Sequence, residues 1–232
     1  VITLLILHYR EHLLDYTRLT LAAVWDSWRR ILAVSIPATA TNLIGPISTA
    51  IVVSLLASYS QETVAGFGIA SRIESMFVIP LFALSASIGP FVGQNWGAGR
   101  RDRANDAMKL AFKCSLAWGA LVALALAVFR HELAVLFDED PQVIETAARY
   151  LLIVPISYGT WGLLMMASAT FNSLGRPISS TIMSVARMLG IYVPCAYLGK
   201  HFLGVPGIFL AAAFANLAMG LVAFVWNRRV YG

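Results

Sequence analysis

Charged side chains are scarce here: they make up 12% of 232 residues, against roughly 25% in soluble domains. With 59% hydrophobic residues and a mean hydropathy of +0.74, the shortage excludes a water-soluble domain and reads as an integral membrane protein. Cysteine is nearly absent. Cys114 and Cys195 both sit inside apolar runs, which excludes a disulfide framework and predicts small buried hydrophobes. No Ser/His/Asp set, no paired carboxylates and no metal-ligating cluster falls at membrane depth. Nothing argues for an enzyme, and no cofactor or metal is expected. The opening "VITLLILH" does not read as a secretory leader, having neither a basic start nor a small-residue cleavage site. It reads as the last turns of a preceding helix, so the chain is expected to be part of a longer protein.

What the sequence does have is long charge-poor runs. Residues 31–61, 114–129, 150–175 and 202–227 carry no charge; 63–99 carry only Arg72 and Glu74, and 177–199 only Arg187. Lys109 and Lys113 precede the third span and can snorkel to the headgroups. A hydrocarbon core of about 30 Å is crossed at about 1.5 Å per residue. The pattern therefore predicts an all-α polytopic bundle with six spans near 31–58, 63–96, 105–129, 144–173, 177–199 and 204–227. Residues 1–30 are expected to be the end of a preceding transmembrane helix and a linker, and 31–232 the six-helix lobe.

With an even number of spans, residues 9–30, the 97–104 loop and the C-terminus share one side. Arg10, Arg18, Arg29, Arg30, Arg100, Arg101, Arg103, Lys109, Lys113, Arg176, Arg228 and Arg229 lie there, against Arg130, Arg149 and Lys200 on the other. The positive-inside rule makes the first side cytoplasmic in a plasma (inner) membrane. Anionic headgroups are a sufficient partner for the net charge of +5, and no nucleic acid is implied. The opposite loop is acidic, and its Asp140-Pro141 pair reads as a helix start.

Two motifs invite a catalytic reading and fail it. "GQNWGAGRRDRA", Gly93–Ala104, follows an apolar helix and has no Lys-Ser/Thr, so it is no phosphate loop. Gly89, Gly93 and Gly97 instead recur every four residues, a spacing that predicts close helix packing. "HYREH" at 8–12 fits the inverted zinc-protease pattern by chance, with no third ligand.

Arg72, Glu74 and Arg187 are ionisable residues within spans, where charge is costly and marks function or a structural pair. A Glu74–Arg187 pair is geometrically open; Arg72, two residues from Glu74, points elsewhere and is assigned with Arg187 to structure or gating. Polar stripes run through Ser35, Thr39, Asn42, Pro46 and Thr49 and through Tyr158, Trp161, Met165, Ser168 and Asn172. They are either packing faces or cavity walls. Asn42, Glu74, Tyr158, Met165 and Asn172 are the candidate cavity residues. Prolines at 37, 46, 80, 90, 155 and 194 predict kinks or breaks in the spans.

Several segments together resemble the multidrug and toxic compound extrusion (MATE) family. They are "VGQNWGAGRRDRA", "GFGIASRIESMFVIPLFALSASIGPFVGQN", "LFDEDPQVIETAARYLLIVP", "FNSLGRP" and "GVPGIFLAAAFANLAMG". The "ASRIES" pattern looks like the DinF-type branch. The resemblance implies the C-terminal half of a twelve-helix fold whose two six-helix lobes rock about a central cavity. It implies a secondary antiporter that exports organic cations or drugs in exchange for H+ or Na+, with the N-terminal lobe as partner. In some branches a seventh-helix carboxylate carries the coupling ion; residues 31–61 have none, which leaves Glu74 as the deep acid of this half. The competing readings are a lipid-linked sugar flippase of the same superfamily and a non-transporting membrane subunit.

Overall fold

The computed structural model describes residues 20–231. The "HYREH" segment and the end of the expected preceding helix lie outside them. Contacts divide the chain into Val1–Leu43 and Ile44–Gly232. The described part of the first unit is helical from Leu21 and carries exposed Trp25 and Trp28.

Six long helices are present among the described residues, with no strand. They are α1 (Leu21–Ala57), α2 (Gln61–Gly97), α3 (Arg101–Val135), α4 (Pro141–Ser173), α5 (Pro177–Leu203) and α6 (Val205–Tyr231). The last five are long and apolar enough to cross a bilayer, and Leu43–Ala57 of α1 is a shorter apolar helix. The chain is a multi-pass membrane protein. Each helix runs beyond its expected apolar span, because polar end turns such as Arg101–Asp106 still satisfy their backbone by helix formation.

Short connections force neighbouring helices antiparallel. The α2–α3 turn is the "GQNWGAGRRDRA" stretch. Gly99 N–H donates to Trp96 O at 3.0 Å and Arg100 N–H to Asn95 O at 2.8 Å, with Gly99 at φ 73°, a left-handed conformation that only glycine adopts cheaply. The Arg101 guanidinium then lies 4.9 Å from the Trp96 ring. At the other end of α3, Asp140 Oδ1 accepts the Gln142 N–H at 2.7 Å and caps α4, with Pro141 in its first turn. Gly204, at φ 66° and ψ −142°, closes α5 in a region open essentially to glycine alone.

α4 is the central post, packing on α2, α3 and α6, while α5 packs on α6. In a bilayer the hydrophobic effect does not hold helices together, so close backbone approach and interhelical hydrogen bonds must. Both are found. A Cβ added to Gly89 would meet Ala169 O at 3.2 Å, and one on Gly93 would meet Ser173 Cβ at 3.3 Å. Gly97 departs from the sequence expectation: a Cβ added there would meet nothing from another helix within 4 Å, because α2 has by then passed the end of α4. The backbones of Gly119 on α3 and Gly159 on α4 touch. Beside them Ser115 Oγ donates to Gly159 O at 2.9 Å, and Trp118 Nε1 donates to Phe77 O at 2.9 Å.

One further expectation needs correction. Cys114 is exposed on α3 and Cys195 is half-buried, both free thiols. An apolar run does not distinguish a core face from one that meets hydrocarbon, and α3 turns Cys114 outward. Of the expected breaks, those at Pro155 and Pro194 are found, as a 3-10 turn at Val154–Ser157 and a π turn at Ala186–Tyr192 that precedes Pro194; the prolines at 37, 46, 80 and 90 lie within continuous helix.

Candidate functional site

Those two irregular turns build the site. Pro155 has no N–H to complete the α ladder, and α4 tightens into a 3-10 turn in which the Tyr158 N–H donates to Pro155 O. The turn presents Ser157. On α5, Pro194 removes the donor that an α-helix would aim at residue 190, and the helix widens. The Val193 N–H donates to Met188 O, five residues back. Single π turns often occur at functional sites, and this one carries Arg187.

The side chains converge on a cavity of about 440 Å³ whose polar wall includes Thr49, Ser71, Glu74, Tyr150, Arg187, Tyr192 and Asn216. Glu74, on α2, accepts a short hydrogen bond from the Tyr150 hydroxyl. Tyr150 is held by edge contacts with Phe67 at 5.6 Å and Phe209 at 5.1 Å between ring centroids. Opposite, Arg187 Nη1 donates to Asn216 Oδ1 at 2.9 Å, and Asn216 Nδ2 donates to Ser157 Oγ at 3.0 Å. Ser157 Oγ in turn donates to Val154 O at 2.8 Å. The guanidinium also lies 5.5 Å from the Trp161 ring centroid, a cation–π distance.

Glu74 and Arg187 therefore share a cavity without forming a direct ion pair with each other. Each charge is tied to a neutral partner instead. A charge away from bulk water must be hydrogen-bonded or paired, and this arrangement leaves the remaining valence of both groups facing the cavity. The site can thus offer a carboxylate to a cation and a guanidinium to an anion, between aromatic walls.

The Arg187–Asn216–Ser157 chain supports a stability prediction. Asn216→Leu removes the guanidinium's acceptor at a site where water is scarce, and the cost is expected at about 1–3 kcal/mol. Thermal unfolding in detergent checks it; an unchanged midpoint would show that the chain does not fix Arg187.

The sequence-derived candidates separate as follows. Glu74 and Arg187 line the cavity. Tyr158 is fully buried behind it, with its hydroxyl close to Glu74 but without a hydrogen-bond partner among the described residues. Met165 is half-buried against the core, and its carbonyl accepts from Ser85 Oγ at 3.1 Å. Asn172 is exposed and outside this cavity; it lies eleven residues beyond Trp161, about 16 Å along the helix. Arg72 is exposed and also outside it, being two residues from Glu74 and so on another face. The Asn42 side chain lies outside the described residues. Among described residues no group of three or more His, Cys, Asp or Glu could hold a metal ion. Sequence reasoning missed Tyr150, Ser157, Tyr192 and Asn216. An asparagine in the middle of the charge-free run 202–227, well inside its ends, was the available signal for Asn216; the others read as ordinary apolar-helix residues.

Comparison with known proteins agrees with this architecture. A family model described as MatE matches residues 37–198. The "FAD transporter" of Shewanella oneidensis is 36% identical over 204 residues, covering 88% of this chain and 45% of that protein. The "Probable multidrug resistance protein YoeA" of Bacillus subtilis is 26% identical over 206 residues, covering 86% and 44%. The bent form of the Vibrio cholerae MATE transporter VcmN superposes with a TM-score of 0.82 at 28% identity, covering 94% of this chain and 49% of that one. The chain thus spans about half the length of the relatives it matches.

Proposed function

This chain belongs to the MatE family, and from that premise we propose that it forms half of a secondary active antiporter that exports organic cations or drugs in exchange for H+ or Na+. Residues 31–232 are the C-terminal six-helix lobe of that antiporter. The partner is an N-terminal six-helix lobe. The membrane is the plasma (inner) membrane, and the basic ends around 9–30, 97–104 and the C-terminus face the cytoplasm.

The observation that carries this reading is Glu74, a carboxylate bound to Tyr150 and open to an aromatic-walled cavity inside the bundle. An organic cation is attracted by the carboxylate and by the ring faces of Trp161, Tyr150 and Tyr192. A proton or sodium ion at the same carboxylate removes that attraction. Coupling follows if the ion and the drug favour opposite-facing states, because a ligand shifts a conformational equilibrium only by its differential affinity. Antiport then needs no covalent chemistry and no cofactor, only competition for one charge.

A second reading is favoured by one feature. Arg187 faces the same cavity over Trp161, which suits an aromatic ligand bearing phosphate, and one relative is a FAD transporter. A lipid-linked sugar flippase is less well supported: Arg187 is the cation lining this cavity, and a pyrophosphate cargo calls for more.

The test is reconstitution of the complete transporter in vesicles with an imposed H+ or Na+ gradient. Gradient-dependent movement of a fluorescent organic cation is the expected result. Movement of FAD alone selects the second reading, and movement of neither under either gradient overturns antiport.

A further inference from the structure

A second concave site lies between α3 and α6, a groove of about 580 Å³ with Lys109, Lys113 and Arg228 on its walls. α3 contributes nothing to the Glu74 cavity, so the two sites are separate. Lys109, Phe112, Lys113 and Leu116 share one face of α3 by their three- and four-residue spacing. From α6, Phe224, Asn227 and Arg228 complete the groove.

Three observations point to one class of ligand. The first is charge. Lys109 is paired with Asp106 at 3.0 Å, while Lys113 and Arg228 have no ion pair among the described residues. The groove therefore holds two uncompensated cations. The second is a buried donor without an acceptor. Asn227 is 3% exposed and lines the groove, yet its Nδ2 has no hydrogen-bond partner among the described residues. Leaving such a donor unmet is costly, and an acceptor arriving through the groove removes the cost. The third is the apolar continuation. Beyond the cations the groove runs along Leu116 and the Phe112–Phe224 pair, whose centroids are 5.8 Å apart. Leu110, Leu221 and Val225 on the same two helices are exposed, the kind of surface that hydrocarbon covers. Lys109 and Lys113 lie roughly 12 and 18 Å along α3 from Arg101, so the polar end of the groove lies toward the basic end of the bundle.

We propose that this groove holds one anionic glycerophospholipid. Its phosphate lies against Lys113, Arg228 and the Asn227 amide, and one acyl chain runs along Leu116 and over Phe112 and Phe224. A zwitterionic headgroup is disfavoured because its own cation meets Lys113 and Arg228. The proposal is independent of what the Glu74 cavity transports.

The complete transporter, purified in detergent, is to be titrated with phosphatidylglycerol or phosphatidylcholine and the retained lipid counted by native mass spectrometry. One phosphatidylglycerol is expected to be held at about 30-fold lower concentration than phosphatidylcholine, from the contribution of two basic groups near a headgroup. The double variant Lys113→Gln/Arg228→Gln, at two exposed positions where the fold has little at stake, is expected to lose that preference. Equal retention of the two lipids, or an undiminished preference in the double variant, overturns the assignment. A third arm adds inorganic phosphate at millimolar concentration: displacement of the lipid shows a phosphate site rather than a lipid site and also overturns it, whereas continued retention supports it.

Discussion

Glu74→Gln is expected to reduce gradient-driven export by about 100-fold, equivalent to about 2.7 kcal/mol, and to leave the residual flux independent of the driving ion. The amide has the size of the carboxylate and its carbonyl oxygen still accepts the Tyr150 hydroxyl, so the bond between α2 and α4 persists and the fold is retained. What disappears is the single negative charge in the cavity wall and, with it, both the attraction for a cation and the group on which the coupling ion competes. Transport by the complete protein in vesicles, with and without the ion gradient, separates the two losses. If the variant keeps both its rate and its ion dependence, Glu74 is a structural partner of Tyr150, and the coupling group lies elsewhere in the protein.

Gly119→Val is expected to be severely destabilising, above about 4 kcal/mol, the range reserved for overpacking and buried defects. A Cβ at this position would overlap the Gly159 backbone and come within 3.1 Å of the Tyr158 carbonyl carbon. Neither obstacle is a side chain that can swing aside. α3 would have to retreat from α4, taking the Ser115–Gly159 hydrogen bond with it. The retreat also disturbs the segment that carries Tyr158 and Trp161 at the cavity. Yield of monodisperse protein in detergent and the thermal midpoint measure the effect; Gly97→Val, where an added Cβ meets nothing from another helix within 4 Å, serves as the neutral control. Equal midpoints for the two variants would remove close backbone contact as the basis of the α3–α4 crossing.

Much of the fold was legible because its signal is additive along the chain. Six charge-poor runs separated by polar breaks give six helices, and the basic residues mark one end of each. Asp140 was readable as a cap because capping is a local rule. The site was less legible for a physical reason. Glu74 and Arg187 stood out because charge at membrane depth is rare, but their partners are Tyr150, Ser157 and Asn216, neutral groups whose role depends on which helices meet. A direct Glu74–Arg187 pair was geometrically open from the sequence; neutral hydrogen bonds on both sides meet the same need. Asn172 shares a helical stripe with Trp161, yet a stripe says nothing about depth, and the residue lies well along α4 from the cavity. Cys114 shows the same limit on the outside of the bundle, where hydrocarbon and protein core make the same demand on composition.

The widened turn at Ala186–Tyr192 has one more consequence. In an α-helix at about 100° per residue, positions 187 and 192 would point about 140° apart, one toward the cavity and the other to its flank. With the ladder closing five residues back, Tyr192 comes round nearly above Arg187, and both line the cavity. The turn therefore acts as a phase shifter. It re-indexes α5 so that the helix brings a cation and a phenol round to the same cavity, and every residue downstream inherits the rotated frame.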